Sequence, residues 1–135
     1  MITRDELLKM PAQDYMNAEQ RAFFTALLES MRDEIQARDL AAEVTTDDVL
    51  ATPDPADRAT LEEERALAFK ERERALQRLR GIRAALARLE RDEFGYCEAT
   101  GDEIGLLRLL ANPTATRSIE AQLRAEQADR LCLAA

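Results

Sequence analysis

Two carboxylates three residues apart, Asp54 and Asp57, stand in the segment TPDPADR. Such a pair can recruit a divalent cation for metal-assisted chemistry, or it can satisfy the first backbone donors of a helix and its dipole. The order Asp-Pro favours the second use, with Asp54 as N-cap and Pro55 at the first helical position. The remaining candidates for chemistry are two thiols, Cys97 and Cys132. With no histidine anywhere, the chain lacks the commonest general base and the commonest transition-metal ligand. A cysteine without a histidine is not an activated nucleophile, and there is no glycine-rich phosphate loop. The sequence therefore points away from an enzyme.

Charge narrows the partner. The 135 residues carry 19 basic and 27 acidic side chains, a formal net charge of −8. A protein that grips nucleic acid by neutralising phosphates needs the opposite sign, so no direct sequence-specific DNA binding is expected. The expected partner is a protein with a basic surface. The first residues, with Arg4, Asp5 and Glu6 close behind Met1, hold no signal-like apolar run, and nothing later approaches the ~20 apolar residues of a membrane span. We therefore expect a cytoplasmic protein with free thiols and no membrane association.

The elements that carry these residues read as long helices. Hydrophobic residues make up 46% and charged residues 34%, with only four glycines and four prolines, a composition that favours an all-α fold. Thr3 followed by Glu6 predicts a capping box and a short N-terminal helix ending before Pro11. Asn17 and Gln20 mark a second start. Beyond them Phe24, Leu28, Met31, Ile35, Arg38 and Ala42 follow a 4-3 spacing, one seam of a coiled coil with a polar interruption. The segment EVTTDDV and the two prolines of TPDPADR predict a turn. A long helix should then run to about Glu93, with Ala75, Leu79, Ile82, Leu86 and Leu89 as its seam. Carried back, that register passes through Arg72, Ala68, Arg65 and Leu61, so packing should weaken toward the turn. Two such helices, at ~1.5 Å per residue, make an antiparallel hairpin of roughly 45–50 Å.

The expected organisation is residues 1–16 as an N-terminal helix of a small globular head, 17–93 as the coiled-coil hairpin with its tip near 50–59, and 94–135 as a loop and C-terminal helix completing the head. Phe94, Tyr96, Ile104, Leu106, Leu109, Leu110, Ile119 and Leu123 are the candidate head core.

Three segments carry a specific resemblance: YMNAEQ before the first long helix, TPDPADRATLEEE at the turn, and DEFGYCEATGDEIGLLRLLANPTATRSIEA after the second. Together they resemble the DksA/TraR family of bacterial transcription factors, with spacing kept from about residue 13 to the end. The family's loop is a zinc finger with two C-x-x-C pairs, because a closed structural zinc site is tetrahedral and takes four soft ligands. Those positions here read Cys97, Thr100, Ser118 and Ala121. One thiolate, two hydroxyls and a methyl cannot hold the ion, so the chain is similar to the zinc-independent, cysteine-depleted DksA paralogues, and no zinc is expected. Its loop is a degenerate zinc finger.

The resemblance implies a regulator that binds RNA polymerase, inserts its coiled coil into the secondary channel and modulates open-complex stability as part of the stringent response, needed under zinc limitation. Matched to the family's tip motif, Asp54, Asp57 and Ala59 are the polymerase-modulating residues, with Arg74 as an arm contact. The family also uses guanosine tetraphosphate (ppGpp) as co-regulator at an interface with the polymerase. The corresponding positions are Arg78, Gly81, Asn112 and Gln122, three of them without charge. A monomer is expected. The alternative is a Gre-like transcript-cleavage factor acting through its tip carboxylates.

Overall fold

A computed structural model describes residues 1–42 and 54–134. The expected turn at EVTTDDV and the first part of the expected tip, residues 50–53, lie outside the described residues. Among those described the chain is all-α: α1 (Arg4–Lys9), a single 3-10 turn (Ala12–Asp14), α2 (Ala18–Ala42), α3 (Pro55–Glu90), α4 (Leu106–Ala111) and α5 (Ile119–Ala134). The one extended pairing among them is an isolated antiparallel bridge between Tyr96 and Glu103. The chain divides into two compact units, Met1–Leu28 with Arg83–Ala135, and Glu29–Ile82.

In the first unit, the start of the chain is built by local hydrogen bonding. The capping box predicted at Thr3 is present: the Glu6 amide donates to Thr3 Oγ1 at 3.3 Å, and the Thr3 amide to Glu6 Oε2 at 2.8 Å. At the second start the Gln20 amide donates to Asn17 Oδ1 at 2.8 Å as expected. The return bond differs, because Gln20 Oε1 accepts from the Met16 amide at 2.8 Å and not from Asn17. Met16 adopts φ 56, a left-handed turn that aims its N–H at the Gln20 side chain. Gln20 is fully buried, and its Nε2 donates to Met10 Sδ at 3.4 Å, so both ends of the amide are engaged, as burial of a polar group requires.

Around this turn the unit packs an aromatic and aliphatic core. Leu7, Phe24, Leu28, Ala85 and Leu109 are fully buried, with Leu89, Phe94 and Ile104 close to it. Phe24 sits between Phe23 and Phe94, with centroid separations of 5.5 and 5.3 Å. Each buried Leu or Phe contributes roughly 1.5–3 kcal/mol. The exposed ion pair between Arg21 and Asp92 is worth ~0–1 kcal/mol by comparison. Apolar burial thus holds the start of α2 against the end of α3. Three of the expected core residues are surface residues: Tyr96, Ile119 and Leu123 are 37%, 58% and 56% exposed. Small residues, Ala115 and Ala121, are buried in the same unit.

In the second unit, Leu79 and Ile82 are buried, Met31, Ile35, Leu61 and Ala75 half-buried, and residues 62–74 all exposed. Burial therefore fades along α3 toward its N-terminus, as the Arg-interrupted register predicts. Arg38, expected in the seam, is exposed, and its neighbour Asp39 is half-buried with an ion pair to Arg72 at 3.2 Å.

The first unit's loop and its N-terminal segment meet at one hydroxyl. Tyr15 Oη donates to the Gly95 carbonyl at 2.6 Å and accepts from the Gly105 amide at 3.0 Å. Burial, the largest cause, pushes the Tyr15 pKa up, which keeps the donor protonated. Gly95 (φ 90) lies so close that a Cβ there would stand 2.9 Å from Met16 Cγ and 3.1 Å from Tyr15 Oη. Tyr15→Phe should therefore leave the Gly105 amide unpaired and cost about 1–2 kcal/mol, whereas Gly95→Ala adds a clash to a left-handed backbone and should cost more. Urea unfolding checks the order. Equal stability of Tyr15→Phe and wild type would refute the role given to this hydroxyl.

Candidate functional site

Asp54 and Asp57 open α3. The Asp54 carbonyl accepts from the Arg58 amide at 2.9 Å, the first bond of the helix, and Asp54 Oδ1 accepts from the Ala56 amide at 3.0 Å. Asp54 is thus the N-cap, with Pro55 the first helical residue, as its sequence predicts. Asp57 lies in the first turn, where a carboxylate interacts favourably with the helix dipole. Asp57 and Ala59 are both exposed. One carboxylate of the pair is therefore committed to the backbone and the other faces solvent. Arg74 is exposed further along the same helix.

The four positions read as zinc ligands come together in the first unit. Gly95 to Ile104 forms a tight hairpin: the Ile104 amide donates to the Gly95 carbonyl at 2.8 Å, the Cys97 amide to the Asp102 carbonyl at 2.7 Å, and the Gly101 amide to the Cys97 carbonyl at 2.9 Å. At its centre Cys97 is 3% exposed. The thiol pKa is pulled from an ordinary 9.0 to about 6, first by a hydrogen bond with the Thr100 hydroxyl, next by the Ser118 backbone, and then by the Thr100 and Ala99 backbone, with burial working the other way. Thr100 Oγ1 also accepts from the Asp102 amide at 3.3 Å. Ser118 is an N-cap: its carbonyl accepts from the Gln122 amide at 2.9 Å and its Oγ from the Ala121 amide at 3.2 Å. Ala121 is buried.

A second strut joins this hairpin to the segment before α5. The Glu98 amide donates to the Thr116 carbonyl at 2.8 Å. The Glu98 carboxylate accepts from Arg117 Nε at 3.2 Å and Thr116 Oγ1 at 3.4 Å, and Arg108 Nε donates to the Arg117 carbonyl at 2.9 Å. Sequence reading did not single out Glu98, Thr116 or Arg117, nor the hydroxyl of Tyr15. The hairpin partners lie 18 and 19 residues apart and the tyrosine 80 to 90, separations at which no short-range pattern operates.

The chain matches two family models in succession: the N-terminal domain of DnaK suppressor protein DksA over residues 20–89, and the prokaryotic dksA/traR C4-type zinc finger over residues 92–127. It is 41% identical to an RNA polymerase-binding transcription factor DksA of Haemophilus influenzae over 116 residues, covering 84% of this chain and 79% of that one. With the protein of the same name from Escherichia coli K12 it shares 40% over 119 residues, covering 86% and 78%. The solved structure of transcription factor DksA2 from Pseudomonas aeruginosa superposes with a TM-score of 0.85 at 41% identity, covering 95% of this chain and 99% of that one.

Zinc, which the matched zinc-finger model implies, does not fit these residues. Ala121 offers no donor atom. The Thr100 and Ser118 hydroxyls are poor zinc ligands at neutral pH and are already held by the Asp102 and Ala121 amides. Among the described residues no three His, Cys, Asp or Glu side chains gather as a metal group. Backbone amides bonded to the two hydroxyls occupy the place of metal bonds there.

The Cys97 thiol carries a pH signature. Because the folded pKa of Cys97 lies below its unfolded value, the thiolate's stabilisation is fully present above about pH 9 and is lost as pH falls through about 6. The gap in melting temperature between wild type and Cys97→Ala should therefore widen from pH 6 to pH 9. A gap independent of pH would mean that the sulfur is held as a thiol throughout.

Proposed function

This chain is a member of the DksA family, and from that premise we propose that it binds RNA polymerase and regulates transcription initiation by altering open-complex stability. The observation that carries the reading is the succession of both family models in one chain, joined to relatives about 40% identical over most of their length that are named for polymerase binding. The pair of helices α2 and α3 serves as the arm that enters the secondary channel. The start of α3 is its working tip. The chain acts as a cytoplasmic monomer, touches no promoter sequence itself, and catalyses no reaction. No helix among the described residues is long and apolar enough to cross a membrane.

Within this reading the two tip carboxylates divide the work. Asp54 caps the helix and fixes its direction, while the solvent-facing carboxylate of Asp57 meets the catalytic centre's moving parts, with Ala59 permitting close approach and Arg74 contacting the channel rim. The nucleotide ppGpp co-regulates through the polymerase, because Gly81, Asn112 and Gln122 offer no charge to hold its phosphates. The head is built without zinc, and the protein serves cells in which zinc is scarce.

Two expectations follow. Purified protein should carry less than a tenth of an equivalent of zinc by mass spectrometry, and its helicity should be unchanged in a strong chelator; stoichiometric zinc would overturn the zinc-free head. Asp57→Asn should cost only some tenths to ~1 kcal/mol as a helix effect and leave affinity for core polymerase near normal, yet abolish most of the effect on open-complex lifetime. Normal regulation by the variant would reduce Asp57 to a helix-start residue. Cleavage of a backtracked transcript by wild type but not by the variant would favour the Gre-like alternative.

A further inference from the structure

Two side-chain amides of the first unit converge on one sulfur. Gln20 Nε2 donates to Met10 Sδ at 3.4 Å, and Asn17 Nδ2 donates to the same atom at 3.6 Å. Both amides are oriented from their other ends. Gln20 Oε1 accepts from the Met16 amide and Asn17 Oδ1 from the Gln20 amide, each at 2.8 Å. Since a backbone N–H must meet the oxygen, the NH2 group of each side chain is the one left to face Met10. Gln20 is fully buried, Asn17 and Met10 half-buried. A thioether is a weak acceptor, so the desolvation of the buried Gln20 donor is only partly offset by the bond it makes.

The position of this sulfur gives it leverage. Met10 is the C-cap of α1, its amide donating to the Leu7 carbonyl at 3.3 Å, and Leu7 is the buried residue of that helix. With six residues, α1 is too short to be stable by itself. It is held by the burial of Leu7 and, through Met10, by the two amides at the start of α2. Hydrogen peroxide, a two-electron oxidant, turns a thioether into a sulfoxide. A sulfur lone pair takes one peroxide oxygen, the O–O bond breaks, and the departing hydroxide removes the proton of the transferred hydroxyl and leaves as water. For an ordinary core methionine this sets a polar oxygen among apolar groups and disrupts packing. At Met10 the oxygen forms beside two N–H donors, one of them buried and short of a good acceptor.

We propose that Met10 is a reversible oxidation site whose sulfoxide is held by Gln20 and Asn17, so that oxidation tightens the attachment of α1 where it would ordinarily loosen it. Methionine sulfoxide reductases reverse the step. Wild type and Met10→Leu, a substitution close in volume, would be treated with hydrogen peroxide. Peptide mass spectrometry locates the sulfoxides, and melting and amide exchange are recorded before and after. Oxidation of Met1, Met16, Met31 and the two thiols is common to both proteins, so the difference between their responses is the effect of Met10. The site predicts sulfoxide at Met10 and slower exchange of the Leu7 and Met10 amides in oxidised wild type. It also predicts a melting shift on oxidation more positive than that of Met10→Leu by roughly 2–5 °C, what one further net hydrogen bond gives a chain of this size. Reductase treatment should return wild type to its starting values. A shift equal to or below that of Met10→Leu overturns the proposal, and so does faster exchange of the two amides. Met10 left as the thioether while Met31 is oxidised would show the sulfur shielded and overturn it as well. Should Met10→Leu fail to fold, the exchange of the Leu7 and Met10 amides in wild type decides alone.

Discussion

The first unit of this protein depends on hydrogen bonds made where its relatives' family pattern calls for a metal. A zinc site closes a loop because four ligands share one ion. Here the closure is distributed: backbone bonds join Cys97 to Asp102 and Gly101, and Glu98 to Thr116, Ser118 caps α5, and Tyr15 Oη bridges Gly95 and Gly105. Each neutral hydrogen bond nets only ~0.5–1.5 kcal/mol, so no one of them replaces a structural zinc. Together, with the burial of Phe94, Ile104, Leu109, Ala115 and Ala121, they give the hairpin and α5 a common footing.

The same footing fixes the ends of the long helices. Tyr15 and Met16 sit just before α2 and touch the hairpin that follows α3, so the place where α2 begins and the place where α3 ends are set by one cluster. The fully buried Gln20 and the Phe24–Phe94 contact continue that cluster into the helices. From Leu79 back toward Pro55 burial declines, and α3 there presents side chains to solvent. Those are the positions where a binding protein needs its contacts.

Much of this was legible in the chain itself. Thr3 with Glu6, Asp54 with Pro55, and the 4-3 spacing of Leu79, Ile82, Leu86 and Leu89 are local signals, and the caps and the seam follow from them. The seam departs in detail: Ala85 is fully buried and Leu86 half-buried. What stayed hidden depends on distant partners. Ser118 reads as a failed ligand until its Oγ is seen to cap α5, and Ile119 and Leu123 read as core although the buried residues there are the small Ala115 and Ala121. Arg38 and Asp39 adjoin in sequence, and only the ion pair with Arg72 decides which faces the partner helix.

Amide hydrogen exchange in a chelator tests most directly that packing and hydrogen bonds, with no metal, hold this unit together. The amides of Cys97, Glu98, Ile104 and Gly105, bonded to Asp102, Thr116, Gly95 and Tyr15, should be protected to the same degree with and without chelator. Their collapse to unprotected rates on chelation, with α2 and α3 still protected, would contradict the account.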